Sequence, residues 1–430
     1  MMGPWMTTAL VVGSMIGAGI FMLPVSLSPY GANAVIAWVV SGLGALSLAY
    51  ALSLLARQDG LGIQAYIERE LGPTVGFVIT WAFWVSVWSS NAGLAIASAS
   101  GLARIAPALS GNGGIVWTAV AMLAFLSAVN AMGARATGRM AILTTAIKVL
   151  PLLAVIVILG QRSVMVGPFE PLAAMPISFD NIAAASALTL FALLGFESVT
   201  APVGKIANPQ RVIPLAILGG TALVALLYLV SSTAVTLVLS AAGMQASIAP
   251  FADAIGRYWG ENAALIAAFC MAVSAFGALN AGVMIGGELS YSMALRGDLP
   301  AVLARTHHGN TPVISQLAAS AIAVALVLAN TSRETAGLFT FVILLATSAT
   351  LWLYLAGALA ALKKRRGRLA TAAIIVGILY TGFAFYGIGW EANLWGLALM
   401  AGGLLIRSVM HRLNLPAATP PAAAAAAPRE

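Results

Sequence analysis

Charge is what this sequence has least of. Only 8% of its 430 residues are Asp, Glu, Lys or Arg, against 61% hydrophobic, and the mean hydropathy is +0.97. A soluble globular surface needs about a quarter charged residues, so a soluble domain is excluded and a polytopic membrane protein is expected. Cysteine is almost missing. The single Cys270 rules out an intramolecular disulfide framework and any multi-cysteine metal site. There is no nucleotide-binding P-loop, no metal-ligand cluster of recognisable spacing and no nucleophile triad, so neither an enzyme nor a bound cofactor or metal is expected. His307 and His308 fall in a loop and read as solvated rather than as ligands. A basic region and a small-residue cleavage pattern are also lacking ahead of the first apolar segment, which is therefore expected to stay as a span. The net charge of +8 would suggest nucleic acid in a soluble chain. Here its distribution between loops matters more, and no nucleic acid partner is expected.

Apolar length is what the chain does have. Windows of about 20 apolar residues predict an all-α protein of twelve spans, near 5–27, 32–56, 75–106, 115–134, 140–160, 182–203, 213–241, 262–294, 313–331, 336–361, 370–388 and 392–410. The Pro/Ala-rich remainder, 413–430, is expected to be a disordered tail. Counting Lys and Arg on alternate sides tests the orientation. One side receives Arg57, Arg69, Arg135, Arg139, Lys205, Arg211, Arg296, Arg305, Lys363, Lys364, Arg365, Arg366, Arg368, Arg407, Arg412 and Arg429, which is 16 of 21. The other receives Arg104, Arg162, Arg257 and Arg333, and Lys148 falls inside the fifth span. Both termini are thus expected in the cytoplasm, as for a multi-pass protein of a cell (inner) membrane. The even number of spans fits the same split.

The first span contains the unusual stretch Gly13-Ser14-Met15-Ile16-Gly17-Ala18-Gly19-Ile20-Phe21-Met22-Leu23-Pro24. Glycine costs a helix interior about 1 kcal/mol relative to alanine, and proline about 3, so a break near the middle is expected. Broken membrane helices usually line sites. Gly17 precedes Pro24 by seven residues, and Gly195 precedes Pro202 by seven in the sixth span. Short amphipathic segments also follow the second and seventh spans, Ile67–Gly72 and Ile255–Gly260. These parallels predict that spans 6 to 10 repeat spans 1 to 5, inverted because five is odd. The predicted divisions are 1–161, 162–362, two further spans in 363–412, and the tail.

Half-helix ends at such breaks carry partial charges and unpaired backbone groups, which suits a zwitterion. The N–H groups of Ala18, Gly19 and Ile20 can take a carboxylate, and carbonyls of the sixth span an ammonium. Close helix packing through Gly13 and Gly17 is the alternative. Ionisable groups within spans are costly unless they face a cavity or a partner. Glu197, two residues after Gly195, is the candidate to bind a substrate ammonium or a proton; tying unwound backbone together is the other reading. Glu288 suits a water-facing place near the inner vestibule as well as a functional one. Lys148 would lie about 12 Å along a helix starting near 140. A lysine withdrawn from water can switch protonation near neutrality or stand in for a sodium ion, whereas snorkelling or structural pairing would need neither. Ser86, Ser89, Ser90 and Asn91, beside Trp84 and Trp88, either line a pathway or bond between helices.

The stretch from Gly13 to Pro24 resembles the first-span signature of the amino acid-polyamine-organocation superfamily. Phe191 to Ser198, followed by Asn208-Pro209-Gln210-Arg211-Val212-Ile213-Pro214, resembles its sixth span and following loop. The likeness is nearest to the bacterial arginine/agmatine antiporter group of basic amino acid/polyamine antiporters. It runs from the first span into the tenth, through Trp84–Asn91 and Thr311-Pro312-Val313. The resemblance implies a LeuT-like inverted five-plus-five repeat with two discontinuous helices and two added C-terminal helices. It places a substrate carboxylate on Ser14, Ala18 and Gly19, and Met15 and Ile20 join them in the expected substrate-binding set. The side-chain pocket falls on Val87, Asn91, Leu94, Phe191 and Leu194, with Glu197 as the sixth-span acid. Two tryptophans of the arginine exchanger are replaced, by Phe191, which can still gate, and by Gly282, which is expected to leave a void. Both changes argue against arginine. Thr145-Ala146-Ile147-Lys148-Val149-Leu150-Pro151 looks instead like the fifth span of proton-coupled amino-acid permeases, where a lysine occupies a former sodium site.

The sequence thus leads to a secondary amino-acid transporter working by alternating access, an amino acid/amine antiporter of the arginine/agmatine type. Proton-coupled symport of neutral amino acids is the alternative, with Lys148 and Glu197 as proton-coupling candidates. The expected partners are an amino acid or amine, protons as a candidate co-substrate, the lipid bilayer, and a second copy as a candidate homodimer. A receptor or an enzyme would need a sensor domain or catalytic constellation that is lacking, and two broken helices favour a carrier over a channel.

Overall fold

In a chain this apolar the backbone must satisfy its own N–H and C=O groups within each segment, which leaves helix as the economical structure. The computed structural model describes residues 3–17, 19–56, 63–111, 113–131, 134–165, 169–197, 206, 208–307, 311–329, 334–363 and 367–413. Ala18, Arg57, Pro202, Lys205, His308, Arg333, Lys364 and the tail beyond Leu413 lie outside them. The helices are α1 (Pro4–Met15), α2 (Gly19–Leu27), α3 (Ala32–Ala56), α4 (Ile63–Leu71), α5 (Pro73–Ile105), α6 (Gly114–Ala131), α7 (Ala134–Met165) and α8 (Phe179–Leu193). They continue as α9 (Pro209–Val238), α10 (Ala241–Ala246), α11 (Pro250–Trp259), α12 (Glu261–Leu295), α13 (Val313–Ala329), α14 (Thr335–Leu362), α15 (Arg368–Ile388) and α16 (Trp390–Arg412). Among the described residues the only bridges of β type are isolated, such as that between His307 and Thr311.

Among the described residues, seven helices, α3, α6, α9, α12, α14, α15 and α16, are long and apolar enough to cross a membrane by length and composition, and α1 with α2 adds a bent pair. The protein is therefore a multi-pass membrane protein. The long helix α5 falls short of that apolar threshold. For α5 the reason is that it lies inside, with Ser86, Ser89, Asn91, Ser98 and Ser100 buried among its neighbours. A helix screened from lipid by other helices need not be apolar all round. Packing centres on α5, which runs along α12 and α14, while α3 lies against α8 and α9.

Two junctions have one construction. The amphipathic α4 ends at Gly72, φ +93°, and α5 begins at Pro73; the amphipathic α11 ends at Gly260, φ +85°, and α12 begins at Glu261. In both, a short helix gives way through a left-handed glycine to a very long one, and glycine alone takes that backbone conformation freely. The two long helices, α5 and α12, are then each other's principal partners.

Candidate functional site

The first span breaks between Met15 and Gly19, where α1 and α2 meet at a bend of 47°. Gly13 and Pro24 are not part of the break, since Gly13 lies within α1 and Pro24 within α2. The Gly17 N–H turns back to the Met15 carbonyl, 2.9 Å, instead of continuing the helix to Gly13. That frees carbonyls at the end of α1 and in the break, and three of them find another donor. Gly13 accepts from Lys148 Nζ at 3.0 Å, Met15 also accepts from the Tyr228 hydroxyl at 3.0 Å, and Gly17 accepts from Ser274 Oγ at 3.3 Å. The start of α7 at Ala134 puts Lys148 roughly 21 Å along its helix at 1.5 Å per residue, deeper than the sequence suggests. With the amine on Gly13 and the residue 5% exposed, Lys148 does not snorkel.

The second break follows α8. The Leu194 N–H closes on the Phe191 carbonyl, and Gly195 enters the left-handed region at φ +111°. The two breaks touch there. A Cβ on Gly195 would sit 2.9 Å from the Ser14 carbonyl oxygen and 3.4 Å from Met15 Cα. Ser14 Oγ donates to the Gly195 carbonyl at 2.9 Å, and its other near acceptor is Val11 O at 2.8 Å. One oxygen of the Glu197 carboxylate accepts from the Gly195 N–H at 3.1 Å and from the Tyr354 hydroxyl at 2.8 Å, while Phe196 stacks on the Tyr354 ring. Glu197 therefore ties the unwound turn together and links it to α14.

Around this contact stand the remaining residues singled out by sequence. Gly19 and Ile20 are buried at the N-terminus of α2, with the Phe191 ring lying where a Cβ on Gly19 would come within 2.8 Å. Leu94 faces Gly17, Val87 faces Gly286, and Leu194 is half-buried beside the second break. The expected void at Gly282 is absent. The Asn91 carboxamide oxygen occupies the space a Cβ there would need, because glycine lets α5 and α12 close together. Among the described residues that buried oxygen has no hydrogen-bond partner. Ser86 bonds to Thr350 and Trp84 Nε1 to the Gly286 carbonyl, so this part of the polar stripe on α5 joins helices. Glu288 is exposed.

Tyr228, Ser274 and Tyr354 went unnoticed at the level of sequence. A hydroxyl inside an apolar helix was the available signal, since a buried tyrosine generally finds a partner. A cavity of about 80 Å³ lies elsewhere, bounded by Leu27, Trp38, Thr233 and Met244, while Phe191 and Asn91 occupy space beside the breaks.

Access differs on the two sides of the breaks. Among the described residues α1 packs mainly along α9, and Leu10 and Ser14 remain exposed. By contrast α2 is enclosed by α5, α8, α9, α11 and α14.

Comparison with known proteins matches residues 2–403 to the sequence profile described as amino acid permease. The chain is 27% identical to the putrescine transporter PotE of Haemophilus influenzae over 425 residues, covering 95% of this chain and 97% of that protein. It is 28% identical to a putative arginine/ornithine antiporter of Bacillus subtilis, covering 84% of each. With the cadaverine/lysine antiporter of Escherichia coli it shares 29% identity over 78% of this chain and 76% of that one.

Proposed function

Since the chain belongs to the amino acid permease family, we propose that it is a secondary antiporter exchanging an amino acid for an amine by alternating access around the paired breaks. The observation that carries this reading is the contact of Gly195 with Ser14 and Met15, which puts two helix interruptions side by side. The N-terminus of α2, at Ala18, Gly19 and Ile20, takes the substrate carboxylate on backbone N–H groups, with the Ser14 hydroxyl and Met15 beside it at the end of α1. Glu197 and the carbonyls of the second break take its ammonium. Val87, Asn91, Leu94 and Leu194 meet the side chain, and Phe191 closes over it. An amine without a carboxylate still satisfies the cation half, so amino acid and amine can share one site. The antiporter names borne by two of the relatives support exchange over proton symport.

The same reading makes α1 with α2, α3, α5, α6, α7, α8 with the chain after it, α9, α12, α13, α14, α15 and α16 twelve spans. The matching glycine junctions at Gly72 and Gly260 support a LeuT-like inverted repeat, divided at 161 and 362. With both termini in the cytoplasm of an inner-membrane protein, the exposed side of α1 faces inward. The exposed apolar residues of α15 and α16, Leu379, Leu394 and Leu405 among them, face lipid or a second copy.

The test is counterflow in liposomes. Labelled lysine, ornithine or putrescine is expected to enter only when the lumen holds an unlabelled partner. Uptake into empty vesicles driven by an inward proton gradient would favour symport, and no uptake of any amino acid or amine would end the carrier reading. Within the site, Gly282→Ala is expected to displace the Asn91 carboxamide and weaken binding about tenfold, the size of one hydrogen bond of about 1.4 kcal/mol. Scintillation proximity binding on purified protein measures it. In an Asn91→Ala background the Gly282→Ala change should lose most of its effect, whereas independent, additive effects would separate the two positions.

A further inference from the structure

The enclosed side of the site is roofed by α11. Its apolar face, Pro250, Phe251, Ala252, Ala254 and Ile255, is buried, and the Phe251 ring meets Phe21 of α2 edge-on with centroids 5.4 Å apart. Its polar face is pinned from several directions. Arg104, in the last turn of α5, donates Nε to Asp253 Oδ1 at 2.7 Å. The same guanidinium forks onto Glu261, at the start of α12, through Nη1 at 2.7 Å and Nη2 at 2.9 Å. The other Asp253 oxygen accepts from Ser247 at 2.5 Å. Arg257 pairs with Glu170 at 3.0 Å, Arg162 bonds to the Tyr258 hydroxyl, and Trp259 donates to Gln161 at 3.0 Å.

A bidentate arginine fork fixes geometry as well as charge, and this one joins three separate elements, α5, α11 and α12, at a single side chain. Packing holds α11 on α2, α7 and α12, and Arg104 supplies its tie to the end of α5. We propose that α11 is a latched lid over the α2 side of the site, and that Arg104 is the latch, whose release from Asp253 and Glu261 lets that side open. The proposal rests on the alternating-access reading. Because the ion pairs are partly exposed, 23% at Arg104 and 62% at Glu261, the latch is open to salt and reversible rather than a permanent staple.

The experiment reads accessibility on both sides in a Cys270→Ser background, with Phe21→Cys beneath the lid and, separately, Ser14→Cys on the exposed side. Each is labelled with a membrane-impermeant maleimide in intact cells and in inside-out vesicles. Arg104→Gln is expected to speed labelling of the thiol at position 21 about fivefold, the low end of a conformational coupling, and to slow labelling at position 14. Asp253→Asn should reproduce the pattern. High salt should speed labelling at position 21 with Arg104 present and leave the Arg104→Gln protein unmoved. Unchanged rates at both positions would overturn the latch, as would acceleration at both together, which marks a loosened fold. The assay reads position and not transport, so the lid can fail while exchange stands, and exchange can fail while the lid responds.

Discussion

Gly195→Ala is expected to lower substrate affinity at least about tenfold and to suppress exchange, while the helices around it stay folded. Two costs meet at this residue. A side chain at φ +111° sits in a backbone region that residues other than glycine occupy at about 1–3 kcal/mol. The added Cβ would also stand 2.9 Å from the Ser14 carbonyl oxygen and 3.1 Å from its carbon, and backbone atoms cannot rotate out of the way as a side chain would. The relief available is to part the two breaks, which costs the Ser14 bond to Gly195 and moves Glu197 with it. The strain falls at a loop between helices and not inside one, so circular dichroism and detergent-monodisperse behaviour should match the parent. Binding of labelled substrate to the purified protein decides the matter. Wild-type affinity would show that the breaks can separate without consequence, and would remove the contact on which the proposed site rests. Gly17→Ala provides the comparison. Its Cβ would meet Leu94 at 3.5 Å, ordinary contact, and a much smaller loss is expected.

The difference between these glycines explains what the sequence could and could not reveal. The helices were legible because apolar length and glycine or proline boundaries are local properties. The predicted second span, 32–56, coincides with α3, and the eighth, 262–294, falls one residue inside α12 at each end. The break in the first span was legible too, because three glycines in seven residues weaken any helix. That Gly195 presses on Ser14, or that Asn91 fills the place beside Gly282, depends on residues 181 and 191 positions apart. No periodicity encodes such pairs. The expectation of a void at Gly282 went wrong for this reason: it assumed that a missing side chain leaves space, whereas in a close-packed interior the neighbouring helix and its carboxamide move into it. The polar face of α11 was visible as an amphipathic segment, but its partners Arg104, Arg162 and Glu170 come from the end of α5, the end of α7 and the chain that follows α7. Glu197 and Lys148 stood out because an ionisable residue in a span is costly wherever it lies. What each one touches came only with the fold.

Lys148→Ala is expected to flatten the pH profile of transport and to cost about 10- to 100-fold in affinity. The physical reason lies at the end of α1. Breaking the first span leaves the Gly13 carbonyl without its helical donor, and Lys148 Nζ replaces that donor at 3.0 Å. A hydrogen bond to a charged group is worth about 1.5–3 kcal/mol net, and this one joins α7 to the break itself. Protonation of the amine is therefore expected to set how firmly α1 is held on α7. Tyr228, Ser274 and Glu197 also bond at the breaks, but Tyr228 and Ser274 donate neutral hydroxyls and Glu197 acts on the second break. Lys148→Arg keeps a donor but loses the compact, titrating ammonium, so it is expected to recover affinity in part and leave the profile flat. The two properties then separate: affinity follows the bond to Gly13, and the pH response follows the proton. Measuring exchange in liposomes from acid to alkaline pH for wild type, Lys148→Ala and Lys148→Arg distinguishes them. A profile that keeps its wild-type shape in Lys148→Ala would make Lys148 a structural tether for α1 and nothing more.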